Sequence, residues 1–432
     1  MNKKRKIIFS HITPGYLGER APRLTLNASF FSYFDLSQKT DLMIHFSEPS
    51  LIFPQRVPRY GFFNELMELE GTYATEAISS IRLKLTHEIR SLLTQRNLDE
   101  KRSTYFFGIL NFLLRYGVDV SRLQDVHLNF PTKEKMFEYQ YINIMSQINR
   151  SICHGRSPAI GPLLRLTKKT LNNTLLSNYW KLNITNRFIV TVNRHNKSQV
   201  FSKIAFDLAQ SLSHNLEKFR PTNFLENIKL ALFYRGFAMA FNNLSHVYRY
   251  LNKSLEISEN IQCTTKIEEI LKKENLIPVY QTLAKFYLMK KEYESAEIYL
   301  KKMIEVDPFD STGYSELGLF YIHIKNLKKA TKQFIEAALL GPPGVGMNWY
   351  LAATAFLKQN KMEQSYKYFK KSIDTDPLAI SPLLDSIEVC KSLNKEKEAK
   401  NSITKLLTIP TLRSQLTSKE IEYCKHESDR LA

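Results

Sequence analysis

The chain has 432 residues, is 43% hydrophobic, holds only 14 glycines and carries a formal charge of +19; this balance suits a globular, helix-rich protein of two or three domains and excludes a disordered chain. No run reaches the ~18 apolar residues of a membrane span, and the basic start Lys3-Lys4-Arg5-Lys6 is followed by too brief an apolar stretch for a secretory signal. Cys153, Cys263, Cys390 and Cys424 form no CxxC pair, which points to a reduced, cytoplasmic protein without a cysteine-bound metal.

The first sixty residues read as strand and loop. Segments 6–12 and 42–53 are β-rich, and prolines at 14, 22, 49, 54 and 58 punctuate them. Then the period changes: Phe62, Leu66, Leu69, Tyr73, Ala77, Ile81, Leu85, Ile89 and Leu92 recur every three or four residues, which predicts one long amphipathic helix with Gly71 as its weak point. Helices are predicted at 104–116 and 133–152, and a loop at 155–162, where two prolines and two glycines fall together. Phe188, Val190 and Val192 alternate with Ile189 and Thr191, predicting a short strand over 187–193. Helical patterning returns at 199–216, 224–241 and 244–257, with Asn223 and Glu226 placed for a capping box.

Charge is uneven along these elements: net +16 over residues 1–250 and +3 over 251–432. Between positions 139 and 206 there is no acidic residue, and the basic ones are Arg150, Arg156, Arg165, Lys168, Lys169, Lys181, Arg187, Arg194, Lys197 and Lys203. Such a field attracts anions, whether nucleic acid, an acidic protein, a phosphorylated metabolite or a membrane surface.

Catalytic signals are weak. Cys153-His154 closes a helix inside the basic stretch, but adjacent residues rarely face one another. No HExxH or zinc-ligand spacing occurs, and His87-Glu88 is an isolated pair. The glycine-rich Gly341-Pro342-Pro343-Gly344-Val345-Gly346 lacks the Lys and Ser/Thr of a phosphate loop. His11, Tyr16, Glu19, Arg20 and Arg23 crowd one proline- and glycine-bearing loop, a place where active-site residues gather. Neither catalysis, a metal nor a cofactor is required by any of these.

The most specific pattern lies further on. Tyr280, Leu283, Ala284, Tyr287, Ala296, Leu300 and Pro308 recur 34 residues later as Tyr314, Leu317, Gly318, Tyr321, Ala330, Phe334 and Pro342. With one extra residue they return as Trp349, Ala352, Ala353, Phe356, Ser365, Phe369 and Pro377. Small residues let the two helices of a pair approach, aromatics fill the gaps between pairs, and proline ends each unit. A degenerate fourth unit follows with Leu383, Ile387, Cys390, Ala399, Ile403, Leu406 and Pro410, then a polar capping helix opening at Thr417 or Ser418 with Glu420 in its first turn.

This spacing resembles the tetratricopeptide repeat family. The resemblance implies helical hairpins stacked into an α-solenoid, with the first helix of each pair lining a partner-binding groove. Carried over by position, that groove presents Gln281, Lys285 and Leu288, then Ser315, Leu319 and Ile322, then Tyr350, Thr354 and Leu357. With one lysine among nine, it suits an extended or helical peptide rather than a clamped carboxylate, and Tyr350 is the aromatic anchor.

The expected organisation is a mostly α protein: a basic, irregular α+β domain over 1–215, a helical connector over 222–276, the repeat array over 277–413 and a cap over 414–432. The expected function is an adaptor or accessory subunit holding a protein or peptide partner, with the basic domain offering a second contact to an acidic partner or nucleic acid. Two alternatives remain at this point. One is an enzyme whose N-terminal domain acts on a peptide or small substrate brought by the array, as in maturation of a bacterial peptide product. The other is a nucleic-acid-linked regulator.

Overall fold

The computed structural model describes residues 97–99, 129–153, 158–195, 198–215, 219–241, 243–264, 266–308, 311–340, 345–375, 377, 379–414 and 416–431. The expected strands at 6–12 and 42–53, the helices at 62–92 and 104–116, the polar loop at 11–23 and the glycine–proline turn at 341–344 lie outside them. The described residues up to Asp307 form one compact unit, and those from Pro308 form another.

Among the described residues the first unit holds eight helices: α1 (Lys133–Cys153), α2 (Ile160–Leu171), α3 (Asn178–His195), α4 (Gln199–Asn215), α5 (Phe224–Ala238), α6 (Leu244–Asn260), α7 (Lys266–Lys290) and α8 (Tyr293–Val306). The second holds α9 (Ser311–His323), α10 (Leu327–Leu339), α11 (Val345–Leu357), α12 (Met362–Thr375), α13 (Ile380–Ser392), α14 (Glu396–Thr408), the single turn α15 (Pro410–Arg413) and α16 (Ser418–Arg430). Sequential helices pack as hairpins, α5 on α6, α7 on α8, α9 on α10, α11 on α12 and α13 on α14.

The α+β expectation for the N-terminal part is corrected over its described residues, which contain no strand beyond an isolated bridge between Asn97 and Asn129. Residues 187–193 are helical, inside α3. The alternation misled because α3 is buried almost all round: Leu182, Ile184, Phe188, Ile189 and Val192 are fully buried, and so nearly are the polar Asn183, Thr185, Asn186 and Thr191. A short apolar run cannot distinguish a strand from a buried helix by period alone. The predicted loop over 155–162 also yields α2 at Ile160, since Pro162 falls in a first turn, where its missing N–H costs nothing.

The cap of α5 follows its sequence signal with one change. Asn223 Oδ1 accepts from the Glu226 amide at 2.9 Å, but the Glu226 carboxylate reaches back to the amide and hydroxyl of Thr222. Helix α7 begins at Lys266 and runs straight across position 277, where the repeat was expected to open. Pro278 sits inside it.

One turn geometry is used four times. Lys291, Lys325, Asn360 and Asn394 are left-handed, with φ of 63°, 62°, 58° and 55°. The amide after each bonds back to Tyr287, Tyr321, Phe356 and Cys390 respectively, at 3.0, 2.8, 3.0 and 2.8 Å. This is the Schellman closure, which satisfies orphan carbonyls at a helix end. It gives the degenerate fourth hairpin the same turn as the three clear ones. Within hairpins the small residues are buried, and the repeat aromatics stack on the second helix of their own pair: Tyr287 on Tyr299 at 5.5 Å and Phe356 on Tyr368 at 5.2 Å.

Candidate functional site

In the second unit the first helices α9, α11 and α13 carry polar side chains that are nonetheless buried. Ser315 Oγ donates to Asn348 Oδ1, joining α9 to α11. Tyr350 Oη donates to Asp385 Oδ2 at 2.7 Å, joining α11 to α13, and Thr354 Oγ1 bonds the Tyr350 carbonyl at 2.9 Å. Asn348 is fully buried, and its Nδ2 donates to no acceptor among the described residues.

Of the nine expected groove residues, Ser315, Leu319, Ile322, Tyr350 and Thr354 are buried in this unit and Leu357 is half-buried. Gln281, Lys285 and Leu288 lie on α7, in the first unit, and are buried too. The expectation of a wall open to solvent is therefore not met: no buried member exceeds 9% exposure. Sequence reasoning also missed Asn348, two positions before the carried-over Tyr350, and Asp385, on the degenerate helix.

The basic segment splits. Arg165, Lys168 and Lys169 are exposed on α2, at spacings of three and four that share one face. Arg187 is half-buried on α3, where its Nε reaches the Tyr141 hydroxyl at 3.4 Å. Arg150 and Arg194 lie within α1 and α3, but their side chains, like Arg156 and Lys197, fall outside the described residues.

Near Arg187 the structure adds a residue the charge count overlooked. Lys229 on α5 is 5% exposed, with Nζ 5.3 Å from the centre of the Tyr179 ring. Burial, reinforced by the Arg187 charge, lowers its pKa to about 7. Burial first, then the charges of Glu138, Tyr141 and Glu134, pushes the Tyr179 phenol well above its usual value.

A cavity of about 580 Å³ lies elsewhere in the first unit, lined in part by Cys263, Lys272, Tyr280 and Lys302. Its cations are already engaged. Lys272 Nζ donates to the Glu259 and Ile261 carbonyls, while Lys302 lies 3.8 Å from Glu259, which also accepts from Tyr280. Burial raises the Cys263 thiol pKa, the wrong direction for a nucleophile. Burial likewise raises Cys390 and Cys424 to about 11. No group of three His, Cys, Asp or Glu among the described residues could hold a metal ion. Cys153 ends α1 with its side chain outside the described set, and so does the loop of Glu19 and Arg20.

Stacked helical hairpins with a repeated turn define an α-solenoid class of protein, and comparison with known families agrees. The tetratricopeptide repeat family matches residues 277–310 and 348–377, two segments within the region whose spacing resembles that repeat. No curated protein matches the chain. Among solved structures, the apo form of RapI is similar at 12% identity, covering 81% of this chain and 96% of that one with a TM-score of 0.42. A tetratricopeptide repeat protein from Parabacteroides merdae is similar at 14% identity, covering 68% and 99%, with a TM-score of 0.35. YrrB, described as having an unusual peptide-binding site, is similar at 15% identity, covering 50% and 99%, with a TM-score of 0.31.

Proposed function

We propose that this chain is an interaction protein, an adaptor or accessory subunit, whose inner helices hold a peptide segment of a protein partner and perform no chemistry. One observation carries this reading: the α9–α11–α13 wall buries polar side chains among its apolar ones, and Asn348 keeps a buried amide donor without an acceptor among the described residues. An unmade buried hydrogen bond costs ~1–3 kcal/mol, and a peptide carbonyl supplies the missing acceptor. Ser315 then positions Asn348, and Tyr350 and Thr354 frame the peptide.

Because these side chains are buried, binding includes an opening step, so association is slower than docking to a preformed groove. The exposed face of Arg165, Lys168 and Lys169 offers a second contact to an acidic surface of the same partner. The free, buried thiols of Cys390 and Cys424 suit a reducing cytoplasm.

The test is recovery of partner on affinity-tagged full-length protein, comparing wild type with Asn348→Ala and Tyr350→Ala. Loss of the same partner from both variants, with unchanged circular dichroism and melting, supports the reading. Undiminished recovery by Asn348→Ala overturns it.

A further inference from the structure

Helices α3 and α5 pack along one another in parallel, as two contacts in the same register show. Lys229 lies over Tyr179. Two turns further along both helices, Gly236 backs onto Asn186, where a Cβ would sit 2.3 Å from Oδ1. This puts Lys229 on the α3-facing side of α5, toward the stretch that holds Arg187. No salt bridge or hydrogen bond among the described residues engages the Lys229 amine. The acids nearest Tyr179, both on α1, are occupied: Glu134 accepts from Ser177 at 2.8 Å, and Glu138 lies 3.8 Å from Lys135.

A buried ammonium that feels a guanidinium's charge and pairs with no carboxylate among the described residues is a costly arrangement for a scaffold. Replacing the lysine by an apolar side chain of similar length would remove that cost, and the Tyr179 ring recovers only part of it. Opposite charge brought from outside would recover much more. The donors available suit an oxyanion: the point charge of Lys229, the forked guanidinium of Arg187 and the hydroxyl of Tyr141, whose oxygen already accepts from Arg187.

We propose that the α3–α5 seam is a binding site for a ligand's oxyanion, a carboxylate or a phosphate, held by Lys229 and Arg187 with Tyr141 as a further donor. The site is separate from the polar wall of α9–α13 and lies outside the matched repeats. It stands or falls independently of peptide binding there. It also distinguishes Arg187 from the exposed lysines of α2: those attract any polyanion, whereas this pair accepts one small charged group.

Inorganic phosphate and acetate serve as probes on the full-length protein at pH 7, against chloride at matched ionic strength. The readouts are the melting temperature and the acylation rate of Lys229, followed by peptide mass after a pulse of amine-selective reagent. An anion seated on the amine raises its pKa, so the site predicts a higher melting temperature and, at pH 7, roughly fivefold slower acylation for the first pKa unit gained and about tenfold for each further one. Protection by phosphate alone assigns a phosphate-bearing ligand, by acetate alone a carboxylate, and by both a general oxyanion site. Lys229→Met, which fits the buried position, and Arg187→Gln each abolish the anion-specific melting shift. The proposal is overturned if neither anion slows acylation of Lys229 relative to chloride, or if Lys229→Met keeps the wild-type melting shift.

Discussion

The ring of Phe334 occupies the space where residue 318 would place a side chain. A Cβ built on Gly318 comes within 2.6, 2.8 and 3.0 Å of three ring carbons, and Phe334 is fully buried. The glycine is thus required by close helix approach in the α9–α10 hairpin. Gly318→Ala gains up to ~1 kcal/mol of helix propensity but forces the ring out of a packed core, which costs ~1–3 kcal/mol. Denaturant melts should show a net loss of stability, and pairing Gly318→Ala with Phe334→Leu should recover part of it. Equal stability of Gly318→Ala and wild type would show that the hairpin does not need the contact.

The four left-handed turn residues give a prediction of opposite sign. Lysine at positive φ is strained by ~1–2 kcal/mol relative to glycine, and Lys291 and Lys325 hold φ of 63° and 62°. Lys325→Gly should therefore raise the denaturation midpoint, less the extra chain entropy glycine loses on folding. Asn360→Gly should do less, since asparagine tolerates this conformation. A larger gain at 360 than at 325 would contradict the strain argument.

This turn also explains what the sequence made legible. The hairpins were readable because Ala284, Gly318, Ala353, Ala296, Ala330 and Ser365 are small for one physical reason, close approach, which recurs at a fixed interval. The cap at Thr417 was readable because its chemistry is local: Thr417 and Glu420 exchange both bonds of a capping box. Residues 187–193 were not, because a helix buried on every side loses the period that marks it. Burial of the inner wall was invisible for a related reason, since Ser315, Thr354 and Gln281 look like surface residues until their neighbours are known. Lys229 was hidden among 61 basic residues, where only burial sets it apart.

The C-terminal helix α16 is tied down by charge as well as by its cap. Lys391 Nζ lies 2.7 Å from Glu427 Oε2, and the Glu427 side chain is only 6% exposed. The hydrogen bond from Lys391 is the main cause that lowers the Glu427 pKa, with Arg430 and His426 assisting. A carboxylate with a depressed folded pKa contributes stability above its unfolded value and loses it as pH falls through the folded one. Stability should therefore drop on acidification below the ordinary glutamate range, and Lys391→Met should flatten that part of the profile. Parallel acid limbs for the two proteins would show that the pair does not hold α16.

Lys229 gives the opposite limb of the pH profile. Its folded pKa of about 7 lies below the ordinary 10.5 because burial, and then Arg187, penalise the charged form. Between those values the unfolded chain binds the extra proton, so stability rises with pH from about 7 toward 10.5. Below pH 7 both states are protonated and this contribution is flat, with its penalty fully present. Each pH unit across the window is worth ~1.4 kcal/mol, so two units should separate wild type from Lys229→Met by on the order of 2–3 kcal/mol relative to their difference at neutral pH. Tyr179 faces the same seam and burial pushes its phenol well above the usual value, so the comparison is made at pH 7–9 using denaturant midpoints. Lys229→Met should be the more stable protein at pH 6.5, with its advantage shrinking as pH rises. A constant offset between the two would mean that the amine stays charged in the folded chain, and the cost assigned to its burial would be wrong.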